Sequence, residues 1–415
     1  MSVVLNYGQQ GRFECEVPQE RLVGFYPAPE PVADLQAELR HALEEPLEFP
    51  PLSRAVVPGD HVVLALDRHT PQAATLVAAV YEILAAQGVS PADILILQPT
   101  ALAGPKVTDP RTSLPEAVRD VVQWRVHDAT DSQQQAYLAT TANGERIYLD
   151  RDVVHADFVM SIGQIGFDPV LGYRGTNTVL YPGLSSTSAV QKARGFGHQE
   201  LTPEDERPLR QMVDEIGWLL GIQFSLQVLP SRGNGVSAVL AGFEQSVWQR
   251  GRELLAAQRE IQLAERAEIV VISIDADAAG HGWEQVGAAL ATARSLVMRG
   301  GKVVILSELN GSCSDLSDGM RMVRDCRSPR EALKPLRDHV PPDFLPATQL
   351  AQMADWAKIY LLSRLDSALV EDLFMIPLDN EREVSRLLAG NAPCAVIEGA
   401  QHTHGRLQSA DDSDE

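Results

Sequence analysis

The chain has 415 residues, of which 45% are hydrophobic and 22% charged, and its formal net charge is −21. This length exceeds what one hydrophobic core usually serves, so two domains are expected. Binding to nucleic acid or to an anionic membrane surface is not expected of so acidic a chain, and no apolar stretch approaches the roughly eighteen residues of a membrane-spanning helix.

From about residue 55 short apolar runs alternate with longer amphipathic ones, which is typical of βα units and a largely parallel sheet. Thr70 and Pro71 are suited to the cap and first position of a helix, and Gly88 to its C-terminal stop. The predicted elements are a strand at 61–66, a helix at 71–87, a strand at 93–97, a loop at 99–115, and strands at 145–149 and 158–162.

The second part repeats this pattern after a long helix. Its predicted elements are a helix at 243–266, a strand at 268–274, a helix at 283–298 ended by Gly300 and Gly301, a strand at 302–306, a helix at 346–364, and strands at 369–376 and 395–397. We place a domain boundary near 265, which predicts an N-terminal domain over 1–265, a C-terminal domain over 266–408 and a disordered acidic tail over 409–415.

The predicted fold class is α/β: two domains with largely parallel sheets and an interdomain cleft, with ligands bound beyond the C-terminal ends of strands. The first residues lack a basic region followed by a long apolar run, so a cytoplasmic protein is expected. The four cysteines have no Cys-x-x-Cys spacing, which favours reduced thiols over a zinc site or a disulfide framework.

A polar turn follows the first strong strand, with the sequence Ala-Leu-Asp-Arg-His-Thr-Pro over 65–71. A strand that ends in Asp67, Arg68 and His69 before a helix concentrates polar groups where anions bind. The alternative is that Asp67 and Arg68 pair with each other or only shape the start of the helix. A guanidinium fork such as that of Arg68 suits a carboxylate by bidentate pairing.

A second segment, over 156–183, runs from an apolar strand into a glycine-rich loop that contains Gly172, Tyr173, Gly175, Pro182 and Gly183. This loop resembles the Gly-Tyr-x-Gly-Gly-x-Lys-x-x-x-Pro-Gly segment of the lactate racemase (LarA) family of nickel-pincer nucleotide enzymes. The turn at 65–71 is similar to that family's Asp-x-Thr-Arg-x-Thr-Pro motif. Weaker similarities at 127–129, 137–141 and 355–358 extend the resemblance over most of residues 55–365.

The resemblance implies a 2-hydroxyacid racemase or epimerase whose substrate is a small 2-hydroxy carboxylate. It assigns cofactor binding to the polar turn and the glycine-rich loop. It assigns substrate binding to one residue of the turn, one residue of the loop and two tryptophans. The cofactor-binding residues are Asp67, Thr70, Gly172, Gly175 and Thr178, and the substrate-binding residues are Arg68, Tyr173, Trp283 and Trp356. For Trp283, a place in the hydrophobic core is an equally good interpretation.

The sequence departs from the family at the residues that carry the chemistry. Thr178 stands where the family attaches its cofactor through a lysine, so a nickel-pincer nucleotide could only be held noncovalently. The two family histidines that move the proton correspond to Ala101 and Asp168, which leaves Asp168 or His69 as the base. The alternative for Asp168 is that it shapes a turn with Pro169.

The nickel-binding histidine of the family corresponds to Arg194, and a guanidinium cannot bind a metal ion. His198, four residues further on, is the alternative metal ligand. No lysine between 283 and 301 takes the place of a substrate-binding lysine of the family. Two hypotheses follow: a nickel-pincer 2-hydroxyacid racemase, or a repurposed member that binds a small carboxylate or a partner.

Overall fold

The computed structural model describes residues 1–100, 107–193, 195, 201–278 and 280–408. The strands are β1 (Ser2–Tyr7), β2 (Gly11–Glu16), β3 (Leu22–Tyr26), β4 (Val62–Leu66), β5 (Ile94–Gln98), β6 (Gln123–Val126), β7 (Gln135–Thr140), β8 (Arg146–Asp150), β9 (Phe158–Gln164), β10 (Gly166–Asp168), β11 (Gly172–Arg174), β12 (Phe224–Pro230), β13 (Val236–Phe243), β14 (Glu260–Leu263), β15 (Ala267–Ser273), β16 (Val297–Leu306), β17 (Lys358–Leu362), β18 (Ile376–Leu378), β19 (Cys394–Ile397) and β20 (His404–Leu407).

The helices are α1 (Leu35–Glu44), α2 (Ala73–Ala86), α3 (Glu116–Arg119), α4 (Arg151–His155), α5 (Thr187–Lys192), α6 (Pro208–Leu220), α7 (Glu244–Arg259), α8 (Trp283–Leu296), α9 (Asp318–Arg324), α10 (Pro329–His339), α11 (Phe344–Trp356), α12 (Ser367–Asp372) and α13 (Glu381–Leu388). No helix of the described residues is long and apolar enough to cross a membrane.

The described chain forms two compact units. The N-terminal unit comprises residues 30–100 and 107–256, and the C-terminal unit comprises residues 1–29 and 257–408, apart from the undescribed positions. Residues 1–29 therefore group with the second unit, whereas the sequence placed them with 30–265. The physical reason is strand pairing, because β3 adds to the edge of the C-terminal sheet beside β19.

The N-terminal unit is built on a six-stranded sheet of order β13-β12-β9-β4-β5-β6. All neighbours are parallel except β12 and β13. Every residue of β4 is buried, as expected of a central parallel strand covered on both faces. Leu66 pairs with Ile162, so β4 and β9 end side by side and bring the segments that follow them to the same sheet edge.

The C-terminal unit is built on a second six-stranded sheet, of order β18-β17-β16-β15-β19-β3, in which every neighbouring pair is parallel. Its central strand β15 is mostly apolar and almost entirely buried. One face of this sheet packs against α8 and α11 and the other against the β1–β2 hairpin and α13. The predicted fold class, α/β with two largely parallel sheets, is confirmed.

Three predicted helices end earlier than expected, and each is followed by strand. The predicted helix at 346–364 is α11 followed by β17, and the one at 243–266 is α7 followed by β14. The first half of the predicted strand at 369–376 belongs to helix α12, and the strand β18 begins only at Ile376. Short apolar runs are ambiguous between helix and strand, and pairing with a neighbouring strand decides the outcome, as β17 shows beside β16.

The predicted helix at 283–298 ends at Leu296, and Gly300 and Gly301 are not its stop. They lie in β16, at a bulge where Ala267 and Ile269 of β15 pair with Val297 and Lys302. Gly300 has φ +76, and a Cβ at Gly301 would lie 2.7 Å from the carbonyl oxygen of Glu268. Glycine is therefore required here by the bulge.

Candidate functional site

The turn after β4 is closed by Asp67. Its backbone N–H donates to the carbonyl of Ile162 on β9 (2.8 Å), and its carboxylate accepts from the backbone N–H of His69 (3.1 Å). The Thr70 hydroxyl donates to the carbonyl of Asp67 (2.5 Å). This Asx-type turn presents Arg68 and His69, both partly exposed, at the carboxyl edge of the sheet.

Thr70 and Pro71 do not begin the following helix, which corrects the sequence prediction. Helix α2 starts at Ala73, and its N-cap is Gln72, with φ 54 and no capping hydrogen bond from its side chain. Thr70 is buried, and its hydroxyl is committed to the turn instead. Because the chain must turn away from β4 before it can enter the helix, the cap moves two residues along.

The glycine-rich segment forms an antiparallel hairpin of β10 and β11, with Asp168 paired to Gly172. The Asp168 carboxylate accepts hydrogen bonds from the backbone N–H groups of Val170 and Leu171, each 2.8 Å long. Asp168 therefore shapes the hairpin turn, as one of the two interpretations proposed.

Both glycines of the predicted cofactor loop have left-handed φ values, +79 at Gly172 and +130 at Gly175. A Cβ at Gly172 would lie 2.3 Å from the carbonyl oxygen of Pro203, and one at Gly175 would lie 2.9 Å from Cγ1 of Ile165. The loop is thus packed closely on its own unit at both positions.

Thr178 lies in a short 3-10 turn after Gly175. Its hydroxyl accepts a hydrogen bond from the backbone N–H of Gly175 (3.1 Å). A hydroxyl in this place caps the turn and offers no amine for attachment. The residues present therefore do not fit a cofactor anchored through a lysine.

Tyr173, predicted to bind substrate, is 2% exposed and is part of an aromatic cluster. Its ring lies 5.4 Å from that of Phe167 and 5.9 Å from that of Trp248, and its hydroxyl donates to Glu204. In this position the Tyr173 ring packs against other aromatic side chains and stabilises the loop.

Charged residues that the sequence interpretation missed surround this cluster. The Arg210 guanidinium lies 3.6 Å from the centroid of Trp248 and forms an ion pair with Asp214 (2.5 Å). The pKa of Glu244 is raised because burial outweighs a hydrogen bond from Thr176 and the charge of Arg210. Glu244 and Trp248 are four residues apart on α7, a helical spacing that could have indicated one shared face.

The resemblance at His127 corresponds to a buried structural network. His127 Nδ1 lies 2.7 Å from Asp150 Oδ2, and its Nε2 lies 2.9 Å from the carbonyl oxygen of Ser185. Burial alone would raise the pKa of Asp150, but hydrogen bonds from His127 and Arg125 and the charge of Arg125 outweigh it and lower the pKa. Each ring nitrogen of His127 therefore lies at hydrogen-bond distance from an oxygen of the protein.

The two predicted substrate-binding tryptophans lie at opposite ends of α8 in the C-terminal unit. Trp283 is the first residue of that helix, whereas Nε1 of Trp356 donates to the carbonyl of Val297, just after its last residue (3.1 Å). A helix of 14 residues is roughly 21 Å long. The two indoles therefore cannot contact the same small ligand, and both pack against the core of their unit.

The metal prediction falls outside what the structure describes, since His198 and Arg194 are among the undescribed residues, as is Ala101. Within the described residues, no group of three or more His, Cys, Asp or Glu side chains could hold a metal ion. A cavity of about 460 Å³ in the N-terminal unit lies at the opposite sheet edge, near the starts of β9 and β12, and is lined in part by Phe49 and Ile222.

The fold and the glycine-rich loop at 166–178 define a class of protein: a two-unit α/β protein with a glycine-rich hairpin at the carboxyl edge of its first sheet. Residues 7–200 match the family model described as the Lactate racemase N-terminal domain. The chain is 20% identical, over 408 residues, to a lactate racemase of Thermoanaerobacterium thermosaccharolyticum, which covers 93% of this chain and 94% of that protein. Residues 7–200 therefore form a lactate racemase N-terminal domain, and the chain is similar to a lactate racemase over nearly its whole length.

Solved structures agree in fold. The lactate racemase apoprotein of the same organism has a TM-score of 0.80 at 18% identity and covers 98% of this chain and 100% of that one. A protein of Thermotoga maritima has a TM-score of 0.67 at 12% identity and covers 92% of this chain and 100% of that one.

Proposed function

We propose that this family member binds a small carboxylate, of the 2-hydroxy acid class, at the turn after β4, and that it does not carry out racemisation through a lysine-anchored nickel-pincer nucleotide. The observation that supports this most directly is the commitment of Thr178 and Asp168 to the loop itself. The Thr178 hydroxyl caps Gly175, and the Asp168 carboxylate holds the hairpin turn. Neither is left to act as anchor or as base.

Arg68 is the carboxylate-binding residue of this proposal. It lies at the carboxyl edge of the sheet, on a turn whose shape is set by Asp67 and Thr70. A guanidinium held on a rigid turn can donate two parallel hydrogen bonds to one carboxylate. Gly163 on β9 lies beside this turn, and a Cβ at this position would be 3.4 Å from Cβ of Asp67. Because Gly163 has no side chain, the turn can lie close to β9.

Binding of D- and L-lactate is measured by calorimetry on the full chain, on Arg68→Gln and on Arg40→Gln, which removes an exposed arginine of α1. The proposal expects Arg68→Gln to weaken binding by about tenfold or more, because a charge-assisted bidentate contact is lost. Arg40→Gln is expected to bind as the unaltered chain does. Equal affinities of all three proteins would refute the assignment of Arg68.

The second candidate is a 2-hydroxyacid racemase with a noncovalently held nickel-pincer nucleotide and His69 as base. It is favoured by the similarity to a lactate racemase over nearly the whole chain and by the position of His69 next to Arg68. Protein produced in cells that make this cofactor would then contain stoichiometric nickel and interconvert lactate enantiomers. Such a result would replace the proposal of binding alone. We also propose a cytoplasmic protein that binds neither nucleic acid nor membrane.

A further inference from the structure

Three guanidinium groups surround the indole of Trp356 in the C-terminal unit. The Cζ atoms of Arg266, Arg294 and Arg299 lie 5.4, 5.5 and 5.7 Å from the ring centroid. All three distances are within the range of cation–π attraction. The salt bridges found among the described residues of this unit involve other arginines, so this cluster has no carboxylate ion-pair partner there.

The end of α8 holds the cluster in place. Nη1 of Arg266 donates to the carbonyls of Arg294 and Ser295, each at 2.8 Å, and to that of Val297 at 3.2 Å. Nε1 of Trp356 donates to the same Val297 carbonyl. These bonds satisfy the last carbonyls of the helix and fix Arg266 and Trp356 relative to Arg294.

The bulge in β16 supplies the third arginine. Between its pairings at Val297 and Lys302, β16 carries more residues than β15 does, and Arg299 is one of them. Gly300, with φ +76, and Gly301, packed against the carbonyl of Glu268, allow this excursion. A conformation that only glycine adopts easily thus brings the exposed Arg299 to Trp356.

The cluster carries more positive than negative charge, and it contains a buried hydrogen-bond donor without an acceptor among the described residues. Burial lowers the pKa of Arg294, the charge of Arg266 lowers it further, and the charge of Asp355 opposes both. Nε of Arg294 is buried and has no hydrogen-bond partner among the described residues. The charges of Arg266 and Arg294 repel each other, so an anion that joined the cluster would relieve this repulsion and accept hydrogen bonds from the guanidinium groups.

We propose that the Trp356 arginine cluster is a binding site for an oxyanion, a phosphate or a carboxylate group, that accepts hydrogen bonds from Arg294 and Arg299. It lies at the amino edge of the C-terminal sheet, because Trp356 precedes β17 and Arg294 lies at the end of α8. This is the edge opposite to the one where α/β sheets usually bind ligands. The site is independent of the carboxylate site proposed at Arg68.

The oxyanion can come from solution or from the chain itself. The backbone N–H of Gln408 donates to the carbonyl of Leu263 (2.9 Å), three residues before Arg266. Beyond Gln408 the sequence continues with Asp411, Asp412, Asp414 and Glu415. Seven extended residues span at most roughly 23 Å, and Leu263 is only three residues from Arg266 of the cluster.

The test is calorimetric titration with inorganic phosphate at low ionic strength. Four proteins are compared: the full chain, a chain that ends at Gln408, and the Arg299→Gln and Arg382→Gln variants of that shorter chain. Arg382 is an exposed arginine on α13 and serves as the charge-matched control. Arg299 is exposed and on the bulge, so its replacement leaves the core of the sheet intact.

We expect the shorter chain to bind phosphate, with affinity about tenfold weaker after Arg299→Gln and unchanged after Arg382→Gln. If the full chain binds more weakly than the shorter one, the acidic tail is the source of the competing carboxylates. If both bind equally, the anion comes from solution. Absence of phosphate binding in both chains, or equal losses in the two variants, would overturn the proposal.

Discussion

Two substitutions of Asp168 distinguish a structural role of its carboxylate in the loop from a catalytic role. Asp168→Ala removes the acceptor of two backbone N–H groups, each at 2.8 Å, whereas Asp168→Asn keeps an oxygen in the same place. Hydrogen bonds to a charged group contribute about 1.5 to 3 kcal/mol when buried, and Asp168 is only half-buried, so we expect Asp168→Ala to cost about 2 kcal/mol in all.

For Asp168→Asn we expect a cost below about 1 kcal/mol, since the turn keeps its acceptor and loses only the charge. Part of that cost comes from the buried Arg207. Burial lowers the pKa of Arg207, and the negative charge of Asp168 opposes this effect, so removing the charge makes the buried guanidinium less stable. In thermal unfolding, 2 kcal/mol corresponds to a decrease in Tm of roughly 4 to 8 °C for a unit of this size.

The assay is calorimetric unfolding of the full chain and both variants, followed by titration with D- and L-lactate. The reasoning predicts that Asp168→Asn retains both the fold and lactate binding. If Asp168→Asn were as destabilising as Asp168→Ala, the charge and not the turn geometry would be the contribution of this residue. If the full chain interconverted D- and L-lactate, and Asp168→Asn kept the Tm but lost this activity, Asp168 would be a catalytic base.

Three further predictions concern stability. Asp150→Ala is expected to cost about 3 to 5 kcal/mol in urea unfolding, because it leaves His127 buried without its carboxylate, while Asp152→Ala, at a half-exposed carboxylate, should cost less than about 1 kcal/mol. The pKa of Asp150 is lowered in the folded state, so its contribution is complete above its unfolded value of roughly 4 and is lost as the pH falls through the folded value. The difference in unfolding free energy between the chain and Asp150→Asn should therefore shrink in acid, and a difference independent of pH would contradict this. Gly172→Ala should destabilise by more than about 2 kcal/mol, and the control Gly59→Ala by about 1 kcal/mol. Both glycines have left-handed φ, but only at Gly172 would the new Cβ meet a backbone oxygen, 2.3 Å away. Equal Tm values of the two variants would show that the clash relaxes.

Sequence alone determined the parts of this protein in which local pattern and fold agree. The apolar runs that became β4, β5, β9 and β15 were recognisable because a strand covered on both faces is apolar along most of its length. The glycines at 172 and 175 were recognised by resemblance to a family motif, and the structure gives their physical reason, since both have positive φ and are closely packed. These patterns were sufficient for the fold class and the family.

The tertiary structure decided what sequence spacing does not contain. Residues 1–29 group with the end of the chain because β3 pairs with β19, a contact across more than 360 positions. Trp283 and Trp356 had each looked suited to one pocket, but the length of α8 separates them. In the structure, the side chains of Asp168 and Thr178 accept hydrogen bonds from backbone N–H groups of the loop. A side chain hydrogen-bonds to whatever donors the fold places beside it, and sequence spacing alone does not specify those donors.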